Sequence, residues 1–180
     1  MRYDIRFSGS GGQGIITAGI LLAQAAAIKA GKNAVQSQSY GPEARGGASK
    51  AEVIISDDEI NYPKIISPDI VISLTQEAYN KYAVDLKDKA VIIVDNTLVH
   101  EYKQDGHKVY AVPITASVKE LLGSAVSANI ATLGVVNEIC KIIEHQWLLD
   151  VVISNFPERA AENNTKAYNL GIDLAKKVME

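Results

Sequence analysis

Cysteine is the scarcest chemistry-bearing residue of this 180-residue chain, with Cys140 as its one representative. A single thiol excludes an internal disulfide, and it cannot hold an iron–sulfur cluster, which takes about four thiolates. We therefore expect a chain of the reducing cytoplasm. Cys140 lies in an apolar helical segment, where we interpret it as a small buried hydrophobic residue.

Basic clusters and long apolar runs are also missing. The formal net charge is -3, and no patch rich in Lys and Arg of the kind found in nucleic-acid-binding proteins is present. Apolar runs end well before the roughly 20 residues that a membrane span needs. The first residues lack the basic and apolar regions of a signal peptide. We expect a cytoplasmic protein that binds neither nucleic acid nor a membrane.

Patterns of common catalytic and metal sites are absent as well. His100, His107 and His145 are far apart and lack the companions of a metal site, so we interpret each as packed or solvated. No Gly-x-Ser-x-Gly elbow or HExxH motif occurs. Asn129 and Asn137 lie in an apolar helical segment, where each needs a partner within the domain or on another subunit. The chain shows no complete catalytic set.

What the chain does have is an alternation of strand-like and helix-like segments, with enough hydrophobic residues, 47%, for one core. The predicted strands are Tyr3–Ser8, Asn33–Ser37, Lys50–Ser56, Pro68–Leu74, Ala90–Val94 and His107–Pro113. The predicted helices are Ile15 to about Ala30, Thr75–Leu86, about Ala125–Ile143 and about Ala160–Val178, the last two closing the chain. We expect residues 1–180 to form one α/β domain, a three-layer Rossmann-like or flavodoxin-like fold with a mostly parallel sheet.

A glycine loop, Gly9-Ser10-Gly11-Gly12-Gln13-Gly14, follows the first predicted strand. Its spacing matches the dinucleotide-binding pattern, in which backbone N–H groups and a helix N-terminus hold a pyrophosphate. The acidic residue that would bind the ribose about 20 residues later is missing from Lys32–Gln38. A Walker-type loop is excluded because no Lys-Ser/Thr pair follows Gly14. A tight turn without a ligand and a phosphate-holding loop both stay open.

A second unusual segment, Tyr40-Gly41-Pro42-Glu43-Ala44-Arg45-Gly46-Gly47, connects two predicted strands. It is longer than the two to five residues of a tight hairpin connection. Pro42 fixes its own φ, and the glycines permit close backbone approach. Arg45 carries a planar fork that suits a carboxylate or a phosphate. We predict a shaped polar loop that meets something beyond itself.

In this order and spacing, the two segments resemble the gamma subunit of 2-oxoacid:ferredoxin oxidoreductases, and the resemblance extends from about residue 3 to the final helix. Further agreement lies in Ala51–Ser56, Asp57-Asp58-Glu59-Ile60, Ser67-Pro68-Asp69-Ile70, Ser127-Ala128-Asn129 and Leu133-Gly134. The second segment, preceded by Gln38-Ser39, is most similar to the 2-oxoglutarate branch. Subunits for pyruvate and 2-oxoisovalerate share much of it, whereas indolepyruvate enzymes usually lack Gly41-Pro42-Glu43.

This resemblance implies a reaction that the chain does not perform alone. Such enzymes use thiamine diphosphate with Mg on the alpha and beta subunits to decarboxylate a 2-oxoacid. Iron–sulfur clusters of the beta subunit and, where present, a ferredoxin-like delta subunit pass electrons to ferredoxin, and CoA leaves as acyl-CoA. The chain itself is then expected to bind no cofactor and no metal, to contribute no catalytic residue and to support the active site.

The resemblance also implies roles for the two segments. Tyr40–Gly47 is expected to contact the alpha subunit, with Arg45 paired to a carboxylate of that subunit or to an anionic group of CoA or substrate. Glu43 would pair with a partner cation or with Arg45 itself, and a purely internal Glu43–Arg45 contact is the alternative. Gly9, Gly11, Gly12, Gln13 and Gly14 are expected to face a partner or hold a CoA phosphate.

Readings from other classes remain open. A stand-alone dinucleotide-dependent oxidoreductase would bind NAD(P)H, against which the missing acid argues. A flavodoxin-like carrier would need a hydroxyl-rich first loop, whereas this loop has one hydroxyl, that of Ser10. A structural partner module without enzymatic context would purify alone as a stable monomer.

Overall fold

The computed structural model describes residues 1–39 and 47–180. Six strands and six α-helices lie within that part of the chain. The strands are β1 (Arg2–Ser10), β2 (Asn33–Gln38), β3 (Ala48–Ser56), β4 (Ile70–Ser73), β5 (Val91–Asp95) and β6 (Lys108–Val112). The helices are α1 (Ile15–Gln24), α2 (Gln76–Tyr82), α3 (Ile114–Leu122), α4 (Ala128–Cys140), α5 (His145–Ser154) and α6 (Ala161–Met179). Two short elements are added, a π-helical turn at Ala25–Lys29 and a 3₁₀ turn at Glu158–Ala160.

All six strands form one sheet in the order β2-β3-β1-β4-β5-β6. Strands β1, β4, β5 and β6 pair in parallel, whereas β3 is antiparallel to both of its neighbours, β1 and β2. Five strands therefore run in one direction, and β3 alone runs against them. Parallel neighbours require crossover connections, which place helices against the sheet. The predicted α/β fold with a mostly parallel sheet is confirmed.

The larger hydrophobic core lies between one face of the sheet and the helices α1, α3, α4, α5 and α6. Ile5 and Phe7 reach this core from β1 and are fully buried. On the opposite face lies the short helix α2, above a smaller apolar cluster formed by Ile92, Val94 and Val99. Alternate residues of a strand point to opposite faces, so the strands supply both cores. The result is a three-layer domain with unequal outer layers.

The face beneath α2 also holds a buried ion pair. Arg6 on β1 and Glu52 on β3 occupy paired positions, and Arg6 Nε lies 2.7 Å from Glu52 Oε1. A second guanidinium nitrogen of Arg6 donates to the backbone oxygen of Tyr82 at 3.1 Å. Lys50 adds a contact of 3.1 Å to the same Glu52 oxygen. Since a buried charge must be paired and hydrogen-bonded, this set joins β1 and β3 to the end of α2.

Helices α4 and α6 cross at very short range. A Cβ atom on Gly134 would overlap the backbone oxygen of Tyr168, and one on Gly171 would overlap that of Ala131. The absence of a Cβ at each glycine therefore lets the opposing helix backbone approach closely. Gly134 of the Leu133-Gly134 pair thus permits the close packing of α4 against α6.

Several boundaries differ from the prediction. The sequence pattern does not predict α3 or α5. After β6 the structure has four α-helices, whereas two were predicted. β1 continues to Ser10 because Gly9 and Ser10 pair with Ser49 and Ala48 of β3. Within residues 1–39 and 47–180, no helix combines the length and the apolar content needed to cross a bilayer.

Candidate functional site at the carboxyl edge of the sheet

The glycine loop lies at the edge of the sheet where the parallel strands end. In open α/β sheets this carboxyl edge is where ligands bind. Because β3 runs in the opposite direction, its first residue, Ala48, lies at the same edge, paired with Ser10. Gly47, the last residue of the second segment, directly precedes Ala48. The tertiary structure therefore brings the glycine loop beside the end of the second segment.

The glycine loop is closed by its own glutamine. Ser10 N–H donates to Gln13 Oε1 at 2.8 Å, and Gln13 N–H donates to the Ser10 carbonyl oxygen at 3.2 Å. Gly12 and Gly14 have φ values of +89° and +72°, a region that glycine adopts at little cost. A Cβ on Gly9 would lie 2.6 Å from Gln13 Oε1. The glycines thus shape a tight strand-to-helix turn around the Gln13 side chain.

Asn129, at the start of α4, anchors this turn. Its Nδ2 donates to the Gly14 carbonyl oxygen at 3.2 Å, and its Oδ1 accepts from Ile130 N–H at 3.0 Å. A Cβ on Gly14 would lie 2.5 Å from Asn129 Nδ2, and the φ of Gly14 is +72°, so both space and backbone conformation favour glycine there. The prediction that Asn129 finds an internal partner is confirmed. This contact joins the Ser127-Ala128-Asn129 segment to the glycine loop.

Strand order argues against dinucleotide binding of the Rossmann type. In that fold β2 lies directly beside β1 and ends near the ribose. Here β3 is inserted between them, so the end of β2 lies two strand spacings, roughly 10 Å, from β1. The residues of β2, Asn33–Gln38, include no carboxylate. Both the strand order and the sequence of β2 therefore argue against a ribose-binding acid beside β1.

Most of the second segment lies outside the described residues. The predictions for residues 40–46, which include Glu43 and Arg45, stay predictions. Its flanks are described: Ser39 N–H donates to the Lys50 carbonyl oxygen at 3.2 Å, and Lys50 N–H donates to Ser39 Oγ at 3.4 Å. The pairing of β2 with β3 thus holds both flanks at the carboxyl edge.

One buried carboxylate, Asp95, also lies at this edge, at the end of β5. It accepts hydrogen bonds from Thr97 N–H at 3.1 Å and Thr115 N–H at 3.0 Å, and a further one from the Thr115 hydroxyl. Both oxygens are used, and the side chain is fully buried. Asp95 therefore joins β5 to the start of α3 and is not available as a general base.

A second polar cluster lies near the other end of α4. Glu138 Oε2 is 2.7 Å from His145 Nε2, and Glu138 Oε1 contacts Lys141 Nζ. His145 Nδ1 lies 2.9 Å from the Tyr168 hydroxyl. Burial raises the pKa of Glu138, but the hydrogen bonds from Lys141 and His145 outweigh it and hold that pKa below its ordinary value. His145 is a packed side chain, as predicted.

Glu138→Gln is expected to lower the free energy of unfolding by about 1–2 kcal/mol at pH 7, because it removes a buried charge that Lys141 and His145 stabilise. Since the folded pKa of Glu138 is lowered, this contribution is present above the unfolded value of about 4.3. It is lost as the pH falls through the folded value. Urea unfolding from pH 7 to pH 3 measures the loss, and a difference that stays constant over this range would contradict it.

The matched control is Glu162→Gln. Glu162 also pairs with a lysine, Lys166, but its side chain is 77% exposed. Exposed ion pairs on a helix contribute little to stability, because solvent screens them. This variant should therefore unfold close to the wild type at every pH.

Asn137 and Cys140 are part of the same end of α4. Asn137 Nδ2 donates to the Ile143 carbonyl oxygen at 2.9 Å, which confirms its internal role. Burial raises the pKa of the Cys140 thiol to about 12, so the thiol is protonated at neutral pH. No group of three His, Cys, Asp or Glu side chains in the described ranges is placed to hold a metal ion.

Comparison with known proteins identifies the family to which this fold belongs. The model of the pyruvate ferredoxin/flavodoxin oxidoreductase family matches residues 4–174. The chain belongs to this family. The 2-oxoglutarate synthase subunit KorC of Methanocaldococcus jannaschii is 44% identical over 180 residues, which cover 99% of this chain and 96% of that protein.

Solved structures agree. The gamma subunit of a keto/oxoacid ferredoxin oxidoreductase from Geobacter sulfurreducens PCA is 43% identical with a TM-score of 0.91, over 99% of this chain and 98% of that one. The 2-oxoglutarate:ferredoxin oxidoreductase of Magnetococcus marinus, with 2-oxoglutarate, coenzyme A and succinyl-CoA bound, has a TM-score of 0.87 at 26% identity. That match covers 98% of this chain and 31% of the other. The chain is a gamma subunit of a 2-oxoacid:ferredoxin oxidoreductase, as the two segments predicted.

Three features of the site were not predicted from the sequence: the Ser10–Gln13 hydrogen bond, the Asn129–Gly14 hydrogen bond and the pairing of Ser10 with Ala48. The sequence feature that could have suggested them is the placement of a glutamine in a glycine-rich loop and of an asparagine in an apolar helix. Their partners lie up to 115 positions away, and only the folded chain shows them.

Proposed function

We propose that this chain is the gamma subunit of a 2-oxoglutarate:ferredoxin oxidoreductase of the cytoplasm. The observation that supports 2-oxoglutarate as the substrate is the 44% identity, over nearly the whole length of both chains, with a 2-oxoglutarate synthase subunit. The Magnetococcus marinus relative with bound 2-oxoglutarate, coenzyme A and succinyl-CoA supports the same substrates. The reaction is the oxidative decarboxylation of 2-oxoglutarate to succinyl-CoA, with two electrons passed to ferredoxin.

The partner subunits hold the groups that carry out this chemistry. Thiamine diphosphate with Mg, held by the alpha and beta subunits, supplies the decarboxylation chemistry. Electrons leave through iron–sulfur clusters of the beta subunit and, where present, a ferredoxin-like delta subunit. The single cysteine of this chain is too few for a cluster, and its raised pKa disfavours the thiolate. We assign the chain no cofactor of its own and no activity alone.

The role left to this chain is to orient the substrates and close the active site. Its carboxyl edge is the surface that we assign to the alpha subunit and to CoA. The glycine loop offers backbone N–H groups and the N-terminus of α1, which suit a CoA phosphate. Arg45 suits a carboxylate of the alpha subunit or an anionic group of CoA. The pairing of Ser10 with Ala48 supports a shared role for the two segments.

Anaerobic purification of the tagged chain from its native host tests this function. We expect alpha and beta subunits to co-purify, as identified by mass spectrometry, and the complex to reduce ferredoxin with 2-oxoglutarate and CoA. The isolated chain should reduce none. Faster turnover with pyruvate or 2-oxoisovalerate would overturn the substrate. A tagged chain that brings down neither an alpha nor a beta subunit from its native host would overturn the subunit role.

A further inference from the structure

A cleft of about 510 Å³ lies between the end of α3, the start of α4 and the turn that precedes α6. Leu122, Ile130 and Phe156 form an apolar wall of this cleft. Asn129, whose Nδ2 donates to the Gly14 carbonyl oxygen, also lines it. The cleft is therefore continuous with the carboxyl edge of the sheet, the surface that we assign to the alpha subunit.

One side chain of the cleft, that of Asn164 on α6, is buried without a full set of hydrogen bonds. Asn164 is 4% exposed, and its Nδ2 has no hydrogen-bond partner among residues 1–39 and 47–180. Its Oδ1 accepts from the Ser127 hydroxyl at 3.2 Å, which is long for a hydroxyl donor. Because Nδ2 is sealed from solvent, an acceptor reaches it when the side chain turns toward the cleft, and the long Ser127 contact permits that turn. A buried donor without an acceptor destabilises the fold, so an acceptor supplied from outside would remove this cost.

An apolar side chain borders the same cleft from the solvent side. Val126 is 86% exposed, a larger fraction than that of any other large hydrophobic residue in the described part of the chain. Burial of such a side chain against a partner is favourable. Arg159 also borders the cleft, but it is exposed, so water solvates its charge, and the other lining residues are uncharged. The occupant that fits is uncharged and brings both an acceptor and an apolar group.

We propose that this cleft receives an extended, uncharged segment of the alpha subunit. Asn164 Nδ2 donates to a backbone carbonyl oxygen of that segment, and Val126 packs against one of its apolar side chains. A backbone carbonyl suits this position because it is a neutral acceptor that must be paired once it is buried. The proposal rests on the proposed function, in which the carboxyl edge faces the alpha subunit, and it adds a contact surface on α4 and α6 beside the two segments.

Asn164→Leu tests the buried donor. Leucine has nearly the shape of asparagine without its polar atoms, and replacing an unsatisfied buried polar group in this way is close to neutral or stabilising. We expect the urea midpoint of the free chain to stay unchanged or to rise. The Kd for the alpha subunit, titrated with the purified chain, should rise about tenfold, because the carbonyl oxygen is left unpaired. A lower midpoint with an unchanged Kd would show that Nδ2 binds a buried water only, and it would overturn the proposal.

Val126→Ser tests the apolar contact and should also raise the Kd for the alpha subunit about tenfold. The matched control is Ile28→Ser. Ile28 is 72% exposed and lies in the π-helical turn at the opposite end of α1, so its replacement should leave the Kd unchanged. Arg159→Ala should leave the Kd unchanged as well. A raised Kd in Arg159→Ala would indicate an anionic occupant and would overturn the proposal.

The proposed function and the role of the cleft fail in different ways. The proposed function fails if the wild-type chain brings down no alpha subunit or if the complex does not use 2-oxoglutarate and CoA. The role of the cleft fails if the wild-type chain binds the alpha subunit and Asn164→Leu and Val126→Ser bind it equally well.

Discussion

Arg45→Ala is expected to lower CoA-dependent ferredoxin reduction by the assembled complex about 10- to 100-fold. A hydrogen bond to a charged group contributes about 1.5–3 kcal/mol, and each 1.4 kcal/mol is a factor of ten. The planar guanidinium fork fixes the direction of this contact to a carboxylate or phosphate. The measurement is the initial rate of ferredoxin reduction at subsaturating CoA, together with the yield of co-purifying alpha subunit.

The two readouts separate the possible counterparts of Arg45. A reduced yield with an unchanged KM for CoA indicates a carboxylate of the alpha subunit. An unchanged yield with a raised KM indicates an anionic group of CoA. Arg159→Ala is the matched control, because Arg159 is exposed and forms no ion pair within residues 1–39 and 47–180. Wild-type yield and rate in Arg45→Ala would show that this arginine serves neither contact.

Gly134→Val is expected to lower the free energy of unfolding by about 3 kcal/mol, the upper end of the usual cost of overpacking. The added atoms would overlap the backbone oxygen of Tyr168, which no side-chain rotation can move. Gly134 does not have a positive φ, so the cost comes from the crossing of α4 and α6 and not from backbone conformation. Urea unfolding of the isolated chain, followed by circular dichroism, measures it.

Asn169→Val supplies the control for this variant. Asn169 is exposed on α6, so the same β-branched side chain there changes only the helix propensity. The free energy of unfolding should therefore change by at most about a few tenths of a kcal/mol. Gly171→Val should cost as much as Gly134→Val, because it closes the same crossing from the other helix. A loss of less than about 0.5 kcal/mol in Gly134→Val would show that the helices separate easily.

Strands β4 and β5 were predictable because each is a short apolar run, a pattern visible among neighbouring residues. Ile70–Ser73 and Val91–Asp95 pack on both faces, and such strands consist of consecutive apolar residues. The last helix was predictable from its periodic spacing and its length of 19 residues. In contrast, α3 follows β6 after the single residue Pro113, so no loop signal separates strand from helix.

The candidate site was only half predictable. Its two segments were identified by residue type, since glycines, a proline and an arginine at fixed spacing are unusual between strands. The orientation of Gln13 was not predictable, because a glutamine in a polar loop is ordinarily solvated. Its bond to Ser10 follows from the turn that Gly12 and Gly14 permit.

The sequence by itself determined the family, the α/β class and the lack of a cluster-binding set of cysteines, since motifs, composition and local periodicity are properties of neighbouring residues. Only the tertiary structure decided that β3 runs antiparallel between β1 and β2, and that the glycine loop lies beside the end of the second segment. The physical reason is that strand order and direction depend on pairings between residues far apart along the chain, such as Ser10 with Ala48, which no local pattern specifies.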